Sequence, residues 1–156
     1  MPVPTELSAD DIYQILNLGV LPFWALIILV PFLRITDTLV HSVFAPIVLG
    51  VIYGWLLANV MAGAVPMPEG AGFASLDALM RTFSVKEAVV AGWAHYIVFD
   101  LFVGAWIARD AQRIGLNQFI VAPALILTLL VGPIGLLTYL LIRGISGRGG
   151  WSLFEG

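Results

Sequence analysis

Four long apolar segments, separated by charged or loop-forming residues, constrain the fold of this chain more than any other feature. About 20 consecutive apolar residues carry a helix across the hydrocarbon core of a bilayer. The chain is 60% hydrophobic and 11% charged, whereas about a quarter of the residues of a soluble domain are charged. The sequence therefore predicts an all-α, polytopic integral membrane protein, with four transmembrane helices in a bundle plus a short interfacial helix.

The four predicted spans cover about residues 12–33, 43–65, 85–107 and 117–142. Between the second and third spans, apolar residues recur on one helical face, which predicts an interfacial helix over about residues 75–83. The fourth segment is too long for one straight span, so we expect a kink near Pro133. We expect residues 1–143 to form a single membrane domain and residues 144–156 to form a flexible, glycine-rich tail.

Serine residues indicate where two of the helices begin. Ser8 precedes Asp10 and Asp11 and is the predicted N-cap of the first span. Ser84 and Glu87 fit the capping-box pattern, in which each side chain accepts a hydrogen bond from the other residue's backbone amide. We therefore expect Ser84 and Glu87 to fix the start of the third span.

Two pairs of polar residues near the span ends favour structural roles. Asp37 and His41 lie four positions apart and share a helical face near the start of the second span. An N-cap and an interfacial histidine explain them more simply than a functional pair does. Asp110 and Arg113 fit a solvated ion pair that ends the third span at the membrane surface.

Composition also excludes several kinds of chemistry. The net charge is -3 and no basic run occurs, so we expect no nucleic-acid partner, which would need clustered Lys and Arg. The absence of cysteine removes thiolate nucleophiles and cysteine-ligated metals. With two histidines in the chain, we expect no metal site and no cofactor. Acid–base chemistry remains, or no chemistry at all.

Asp100 and His95 are ionisable residues inside the third span. A carboxylate at the centre of a bilayer costs about 3 kcal/mol or more, so such residues usually face the protein interior. The spacing places the two side chains about 140° apart on a straight helix. Each therefore needs a partner on another span, or the two flank one cavity. Two interpretations stay open: a protonated acid and a backbone-bonded imidazole, or an acid–base pair around a ligand.

Aromatic side chains surround these two residues in the third span. Trp93, Tyr96, Phe99 and Phe102 are predicted to form the walls of a site for a flat or polyene ligand. Aromatic packing within the bundle is the alternative explanation. Gly104 lies one turn after Asp100 and would allow the backbone of a neighbouring helix to approach Asp100 closely.

The order of several short motifs resembles one known family of membrane proteins. The motifs are Leu21-Pro22-Phe23, Pro46 to Tyr53, Thr82-Phe83-Ser84, Gly92-Trp93-Ala94-His95, Asp100-Leu101-Phe102, Asp110 and Gly132 to Leu136. Together they resemble the neoxanthin-synthase-related family, known from the fourth abscisic-acid-deficient locus of plants. The motifs of the third span are the most specific, and the chain resembles a bacterial-type member.

The resemblance implies a protein of about four helices that acts on or binds a carotenoid or another apolar lipid. Plant members are linked to the formation of neoxanthin from violaxanthin, a redox-neutral isomerisation in which an epoxide opens. Carried over to this chain, Trp93, His95, Asp100 and Asp110 become the candidate functional residues. Such an isomerisation needs an acid and a base, so His95 and Asp100 are the predicted catalytic residues, in either assignment. A bacterial-type member implies the bacterial inner membrane.

Two other functions remain open. The chain could be a non-catalytic carotenoid- or lipid-binding membrane subunit, as a homo-oligomer or within a larger complex. A small transporter is the weaker alternative, because one embedded carboxylate in four spans leaves little for an alternating site. An enzyme would have His95 and Asp100 in one cavity, whereas a binding subunit would use them in hydrogen bonds between helices.

The basic residues barely define an orientation for four spans. Four spans put Arg81, Lys86, Arg143 and Arg148 on the side of both termini, and Arg34, Arg109 and Arg113 on the other. Cytoplasmic loops of membrane proteins carry an excess of Lys and Arg. Four basic residues against three therefore favour cytoplasmic termini by a single residue.

Overall fold

The computed structural model of the protein describes residues 7–150 and 152–153; Trp151 and the last three residues of the predicted tail lie outside that part. The described residues form α1 (Ala9–Leu29), α2 (Arg34–Leu39), α3 (Phe44–Met61), α4 (Leu76–Thr82), α5 (Lys86–Arg113), α6 (Gln118–Val131) and α7 (Pro133–Ile145). They contain no strand, which confirms the all-α class. The division into one membrane domain and a tail stays a prediction.

Three stretches of the described chain are helical, long and apolar enough to cross a membrane. They are Ala9–Leu29, Arg34–Met61 and Lys86–Arg113, with 21, 28 and 28 residues. These are the places where the first three spans are predicted. The second stretch consists of α2 and α3, which a turn at residues 40–43 separates. Helix α4 lies within the predicted range of the short helix, and its interfacial position stays a prediction.

The fourth predicted span is two shorter helices instead of one. Helix α6 ends at Val131 and α7 begins at Pro133, with Gly132 between them at a φ of 38°. Proline lacks a backbone N–H and suits the first position of a helix rather than its interior. Helices α6 and α7 pack against each other as a hairpin. The expected kink is therefore a turn that folds the chain back on itself.

The chain divides into two compact units. The first comprises Met1–Gly19 and Ile47–Val98, and the second comprises Val20–Pro46 and Phe99–Gly156. The division falls within α1, α3 and α5, so each unit holds one end of each of these helices. The first unit also holds α4, and the second also holds α2, α6 and α7.

Serine side chains start two helices of the first unit. Ser8 caps α1 as predicted: its Oγ accepts a hydrogen bond from the Asp11 amide (3.1 Å), and Asp11 Oδ2 accepts one from the Ser8 amide (3.0 Å). Ser75 caps α4, because its Oγ accepts from the amide of Ala78 (3.2 Å). In each helix, one of the first amides, which have no partner within the helix, is thereby satisfied.

The capping box predicted for α5 is not among the hydrogen bonds of the described residues. Ser84 Oγ instead donates to the carbonyl of Arg81 (2.7 Å) at the end of α4. Helix α5 begins at Lys86, so its N-cap is Val85, and Ser84 lies one position before the place where a capping box needs its serine. The link between α4 and α5 is short, so the Ser84 hydroxyl is close enough to bond to a carbonyl at the end of α4.

Side chains of the second unit satisfy the last carbonyl groups of α1, which have no partner within the helix. Gln118 Nε2 donates to the carbonyls of Ile27 (3.0 Å) and Ile28 (2.9 Å). Gln112 Nε2 donates to the carbonyl of Pro31 (3.1 Å), just after the helix. The end of α1, the end of α5 and the start of α6 therefore lie together in this unit.

The α6–α7 hairpin closes around Gly135. A Cβ atom at this position would overlap the backbone N and Cα of Thr128, whereas a Cβ at Gly144 of the same helix would meet nothing within 4 Å. We expect Gly135→Ala to lower the free energy of unfolding by about 3 kcal/mol, at the upper end of overpacking costs. We expect Gly144→Ala to raise it by up to about 1 kcal/mol through helix propensity. Thermal unfolding of both variants in detergent measures the difference, and equal midpoints would contradict the hairpin.

Candidate functional site

The first unit contains a cavity of about 540 Å³ with an almost entirely apolar wall. Its lining comes from α3, from the loop and α4 that follow, and from the first half of α5. The lining residues are Tyr53, Leu57, Val60, Met61, Met67, Ala71, Gly72, Phe73, Thr82, Phe83, Ala88, Ala91, Gly92 and His95. Pockets of about 300–1,000 Å³ with this character bind small apolar molecules. We call this cavity the His95 pocket.

Thr82 holds the loop wall of the His95 pocket against α4. Its buried hydroxyl accepts from the amide of Gly72 (2.8 Å) and has the carbonyls of Gly72 (3.2 Å) and Ala78 (3.1 Å) within donating distance. Arg81 Nη1 donates to the carbonyl of Glu69 (3.1 Å) earlier in the same loop. The loop between α3 and α4 is therefore fixed at two points, and its apolar residues form a defined wall.

Gly92 allows the ring of Phe83 to close one side of the pocket. A Cβ atom at Gly92 would lie 2.9 Å from Cε1 of Phe83, which is closer than side-chain carbons come in folded proteins. Both residues line the pocket. The glycine of the Gly-Trp-Ala-His motif therefore has a physical reason: any larger residue would push the aromatic wall away.

His95 extends from α5 into the pocket and contacts Tyr53 of α3. The two ring centroids are 5.4 Å apart, and the ring planes meet at 61°. His95 is exposed on the protein surface rather than enclosed by other side chains, so a molecule in the pocket can reach its imidazole. Tyr53 and His95 are the titratable side chains of the lining, and the Thr82 hydroxyl is already used by the backbone.

Trp93 and Tyr96 form an aromatic cluster with Tyr13 of α1. The rings of Trp93 and Tyr96 stack at 5.0 Å and 25°, and Trp93 lies 5.8 Å from Tyr13. The indole N–H of Trp93 donates to Asn17 Oδ1 (3.1 Å). This cluster joins α1 to α5 within the first unit. Trp93 and Tyr96 are not among the lining residues of the His95 pocket, and their role in ligand binding stays a prediction.

Asp100 lies in the second unit, at the turn of the α6–α7 hairpin. A Cβ atom at Gly132 would lie 2.6 Å from Asp100 Oδ1 and 3.0 Å from Oδ2, so the carboxylate touches the backbone of the turn. Gly132 is the N-cap of α7, and a helix N-terminus favours negative charge. The backbone that approaches Asp100 closely is therefore that of Gly132. At Gly104, where the sequence predicts this approach, the nearest neighbour is the ring of Trp24.

Two predicted ligand-binding residues of the second unit lie on its surface. Phe99 is 56% exposed and Phe102 is 52% exposed, which suits contact with lipid in a membrane-spanning helix. Their ligand-binding role stays a prediction. His95 belongs to the first unit and Asp100 to the second, and their joint catalytic role also stays a prediction.

Asp110 is the centre of a buried ionic network in the second unit. Its Oδ2 accepts from the hydroxyl of Tyr139 (2.5 Å) and from Nε of Arg143 (2.8 Å), and its Oδ1 accepts from Nη2 of Arg113 (2.6 Å). Asp110 is 0% exposed and Arg143 is 4% exposed. The predicted pair of Asp110 and Arg113 is present, but its carboxylate is buried rather than solvated. The reason is that α7 packs Tyr139 and Arg143 onto it.

Arg143 also holds the chain that follows α7. Its Nη2 donates to the carbonyl of Ser152 (3.0 Å), and its Nη1 donates to the carbonyl of Gly150. The neighbouring Gly149 packs so closely on Arg143 that a Cβ there would lie 2.5 Å from Cγ. One buried arginine therefore connects the end of α5, α7 and the residues after α7.

The remaining predicted residues have structural positions. Asp37 is exposed on α2, and His41 is partly buried in the turn after it. Because α2 ends at Leu39, the helical face expected to carry both residues is interrupted. Pro133 is the first residue of α7, where it follows the turn that Asp100 contacts.

A comparison with protein families now identifies the chain. The family model described as ABA DEFICIENT 4-like matches residues 11–139. The chain belongs to the ABA4-like family. This confirms the resemblance carried by the sequence motifs, all of which lie within the matched range.

This ABA4-like protein is similar to the protein ABA DEFICIENT 4, chloroplastic, of Arabidopsis thaliana. The two are 26% identical over 150 residues, which cover 90% of this chain and 64% of the relative. The chain therefore spans less than two thirds of the length of this relative. No solved structure matches the chain.

Several pocket residues of this ABA4-like protein were not recognised from the sequence. Tyr53, Thr82 and Phe83 belong to the motifs that carry the family resemblance, but no periodicity connects them to His95. Met67 and Phe73 lie in a loop whose sequence pattern predicts no contact. Motif membership was the one available signal for the first three, and the fold was needed to bring them to one cavity.

The Asp110 network gives a stability prediction. Asp110→Asn removes the charge that compensates Arg143, which is buried. We expect the free energy of unfolding to fall by about 3–5 kcal/mol, as for other buried ion pairs that lose one partner. The matched variant Asp77→Asn replaces an exposed carboxylate and should cost under about 1 kcal/mol. Thermal unfolding in detergent compares them; equal losses would show that the network contributes nothing.

Proposed function

We propose that this ABA4-like protein binds the ring end of a carotenoid or a similar isoprenoid in the His95 pocket and isomerises it without redox chemistry. The favoured reaction is the opening of an epoxide. The single observation that carries the proposal is the pocket itself. It is a cavity of about 540 Å³ with an apolar wall, in which the rings of His95 and Tyr53 are in contact. The family membership supports the same substrate class.

The reaction needs two proton transfers and no change in the number of electrons. One carbon–oxygen bond of the epoxide breaks, and the oxygen, still attached to the other carbon, takes a proton to become a hydroxyl. A neighbouring carbon loses a proton, and the electron pair of that C–H bond forms a new double bond. Substrate and product are therefore isomers, and an acid and a base of the protein suffice.

His95 is the proposed base or acid for one of these transfers. Its imidazole faces the pocket, and a histidine can hold or release a proton near neutral pH. Tyr53, which contacts it, can donate a hydrogen bond to the epoxide oxygen or orient the imidazole. Asp100, the second catalytic residue predicted from the sequence, does not line the pocket, and its catalytic role stays a separate hypothesis. These assignments are hypotheses, and substitutions of the individual residues distinguish between them.

The surroundings of the pocket favour a lipid-soluble substrate. Apolar side chains from α3 and from the loop after it form much of the wall. Helices α3 and α5 both belong to stretches that are long and apolar enough to cross a membrane. Such a site takes its ligand from the bilayer rather than from water. The resemblance to bacterial-type members supports a location in the bacterial inner membrane.

The catalytic part of the proposal is tested by His95→Gln and Tyr53→Phe. The protein is produced in a host that makes epoxidised carotenoids, and the extracted pigments are separated and identified. We expect His95→Gln to lower the conversion of the epoxide by about 100-fold or more, the usual effect of losing an acid–base group. Tyr53→Phe should lower it less. Pigment that copurifies with each variant should remain near the wild-type amount.

His41→Gln is the matched control, because it replaces the other histidine of the chain, outside the pocket. It should convert the epoxide like the wild type. Conversion by His95→Gln at the wild-type rate would refute the role of His95. Pigment bound by the wild type with no new product, relative to cells without the protein, would leave the binding-subunit alternative in place of the enzyme.

The binding part is tested separately by filling the pocket from its loop side. Met67→Trp places a larger side chain in the lining, so the purified variant should retain several-fold less pigment per protein. Met80→Trp is the control, because Met80 is exposed on α4 and does not line the pocket. The absorption spectrum of each purified protein gives the ratio. Equal retention by both variants would show that the pigment binds elsewhere.

A further inference from the structure

The α6–α7 hairpin bears on how the chain lies in a membrane. A bilayer core is about 30 Å thick. Helix α6 has 14 residues and α7 has 13 residues, so each is only about 20 Å long at 1.5 Å per residue. Neither helix crosses the bilayer alone. The two would cross together only as one rod, and they instead pack side by side.

Both ends of the hairpin lie at the same end of the second unit. Gln118, at the start of α6, donates to the last carbonyls of α1. Arg143, near the end of α7, bonds to Asp110 in the last turns of α5. Arg148, just after α7, donates to the carbonyl of Gly115, between α5 and α6. The chain that enters the hairpin and the chain that leaves it are therefore neighbours.

The turn of the hairpin lies at the middle of α5. Gly132 touches Asp100, which is ten residues, or about 15 Å, from Asp110 along the helix. Apolar side chains are exposed along both arms, among them Ile126, Leu130, Leu137 and Leu141, whereas Gly132 itself is buried. Irregular backbone at membrane depth is tolerated where protein buries it. The hairpin thus has the features of a re-entrant segment.

We infer that the chain crosses the membrane three times, through α1, through α2 with α3, and through α5, and that the α6–α7 hairpin enters and leaves at one surface. An odd number of crossings puts the first described residues and the C-terminal residues on opposite sides. Four complete spans would put them on the same side. The inference concerns the topology and is independent of the ligand in the pocket.

The ends of the long helices in the first unit define one of the two surfaces. Asp10 at the start of α1 pairs with Lys86 at the start of α5 (2.6 Å). Ala64 and Val65, just after α3, line one cavity with Ser8 and Glu87. The starts of α1 and α5 and the end of α3 therefore lie at one surface, and the opposite ends of the same helices lie at the other.

The basic residues then assign the two surfaces. In this topology Arg81 and Lys86 lie on the surface of the first described residues, and Arg34, Arg109, Arg113, Arg143 and Arg148 lie on the other. Five basic residues against two give a clear positive-inside bias, where four complete spans leave four against three. The surface of the C-terminal residues is therefore cytoplasmic. His95 is the tenth of the 28 residues of α5, so in this topology it lies in the half of that helix nearer the non-cytoplasmic surface.

Single cysteines test this topology, because the chain has none of its own. Ala74→Cys, Phe32→Cys and Leu153→Cys are each made at exposed positions and treated in intact cells with a membrane-impermeant maleimide, then again after permeabilisation. Residue 32 lies between the first two crossings and residue 74 between the second and third, so the two lie on opposite sides in either topology and calibrate the labelling. We expect Ala74→Cys to react in intact cells, and Phe32→Cys and Leu153→Cys to react only after permeabilisation.

Leu153→Cys is the variant that decides the number of crossings. If it reacts together with Ala74→Cys, the α6–α7 segment crosses the membrane and the inference is wrong. If Ala74→Cys is protected while the other two react in intact cells, the three crossings stand and the assigned orientation is wrong. The experiment measures only the reaction of each cysteine with the maleimide and involves no pigment. Its outcome is therefore separate from the test of the proposed function. If both hold, the pocket takes its ligand from the non-cytoplasmic leaflet.

Discussion

Backbone hydrogen bonding in an apolar medium is the constraint on which this structure depends. A backbone group without a partner costs several kcal/mol in lipid, so a chain can turn there only where protein supplies partners and cover. Gly132 meets this condition. Its amide donates to the carbonyl of Thr128 (3.0 Å), its own carbonyl accepts from the amide of Leu136 (3.2 Å), and the residue is buried. The turn therefore leaves no backbone group of Gly132 exposed to lipid.

The two carboxylates in the second half of α5 are used in different ways. Asp110 accepts hydrogen bonds from Tyr139, Arg143 and Arg113, so its charge is fully compensated and its role is to hold α5, α7 and the following chain together. Asp100 instead lies against the turn at Gly132, at the N-terminus of α7. The same hairpin thus needs one carboxylate at its base and another at its turn.

The sequence was sufficient for the class of protein and for the three candidate membrane-spanning helices, because long apolar segments determine where helices enter lipid. It was insufficient for the hairpin. Gly132-Pro133 signals a break, but a kink and a complete turn have the same local signature, and the packing of Gly135 on Thr128 decides between them. For the same reason the inferred topology puts Arg143 and Arg148 on the surface opposite to the one predicted from the sequence.

The candidate site was predicted in part, for a similar reason. His95 stood out because an ionisable group in an apolar span is rare. Its neighbours in the pocket come from α3 and from a loop, and such long-range contacts leave no periodic pattern in the sequence. The sequence predicts Trp93 as a ligand-binding residue on the same grounds, yet its indole N–H donates to Asn17 and its ring packs on Tyr96. Trp93 and His95 are two positions apart, so they face different sides of α5 and take part in different clusters.

The apolar wall of the pocket bears on the outcome of the proposed reaction as well as on binding. When an epoxide opens in water, the carbon that loses oxygen is attacked by a water molecule and a diol forms. A pocket walled by residues such as Leu57, Phe73 and Phe83 offers a water molecule few hydrogen-bond partners, which disfavours this addition. The same carbon skeleton can then complete its bonding only by losing a neighbouring proton, which is the proton that His95 takes up in the proposed reaction. A wall without charges therefore favours the isomer over the hydrolysis product, and it does so with no group beyond those that the pocket already contains.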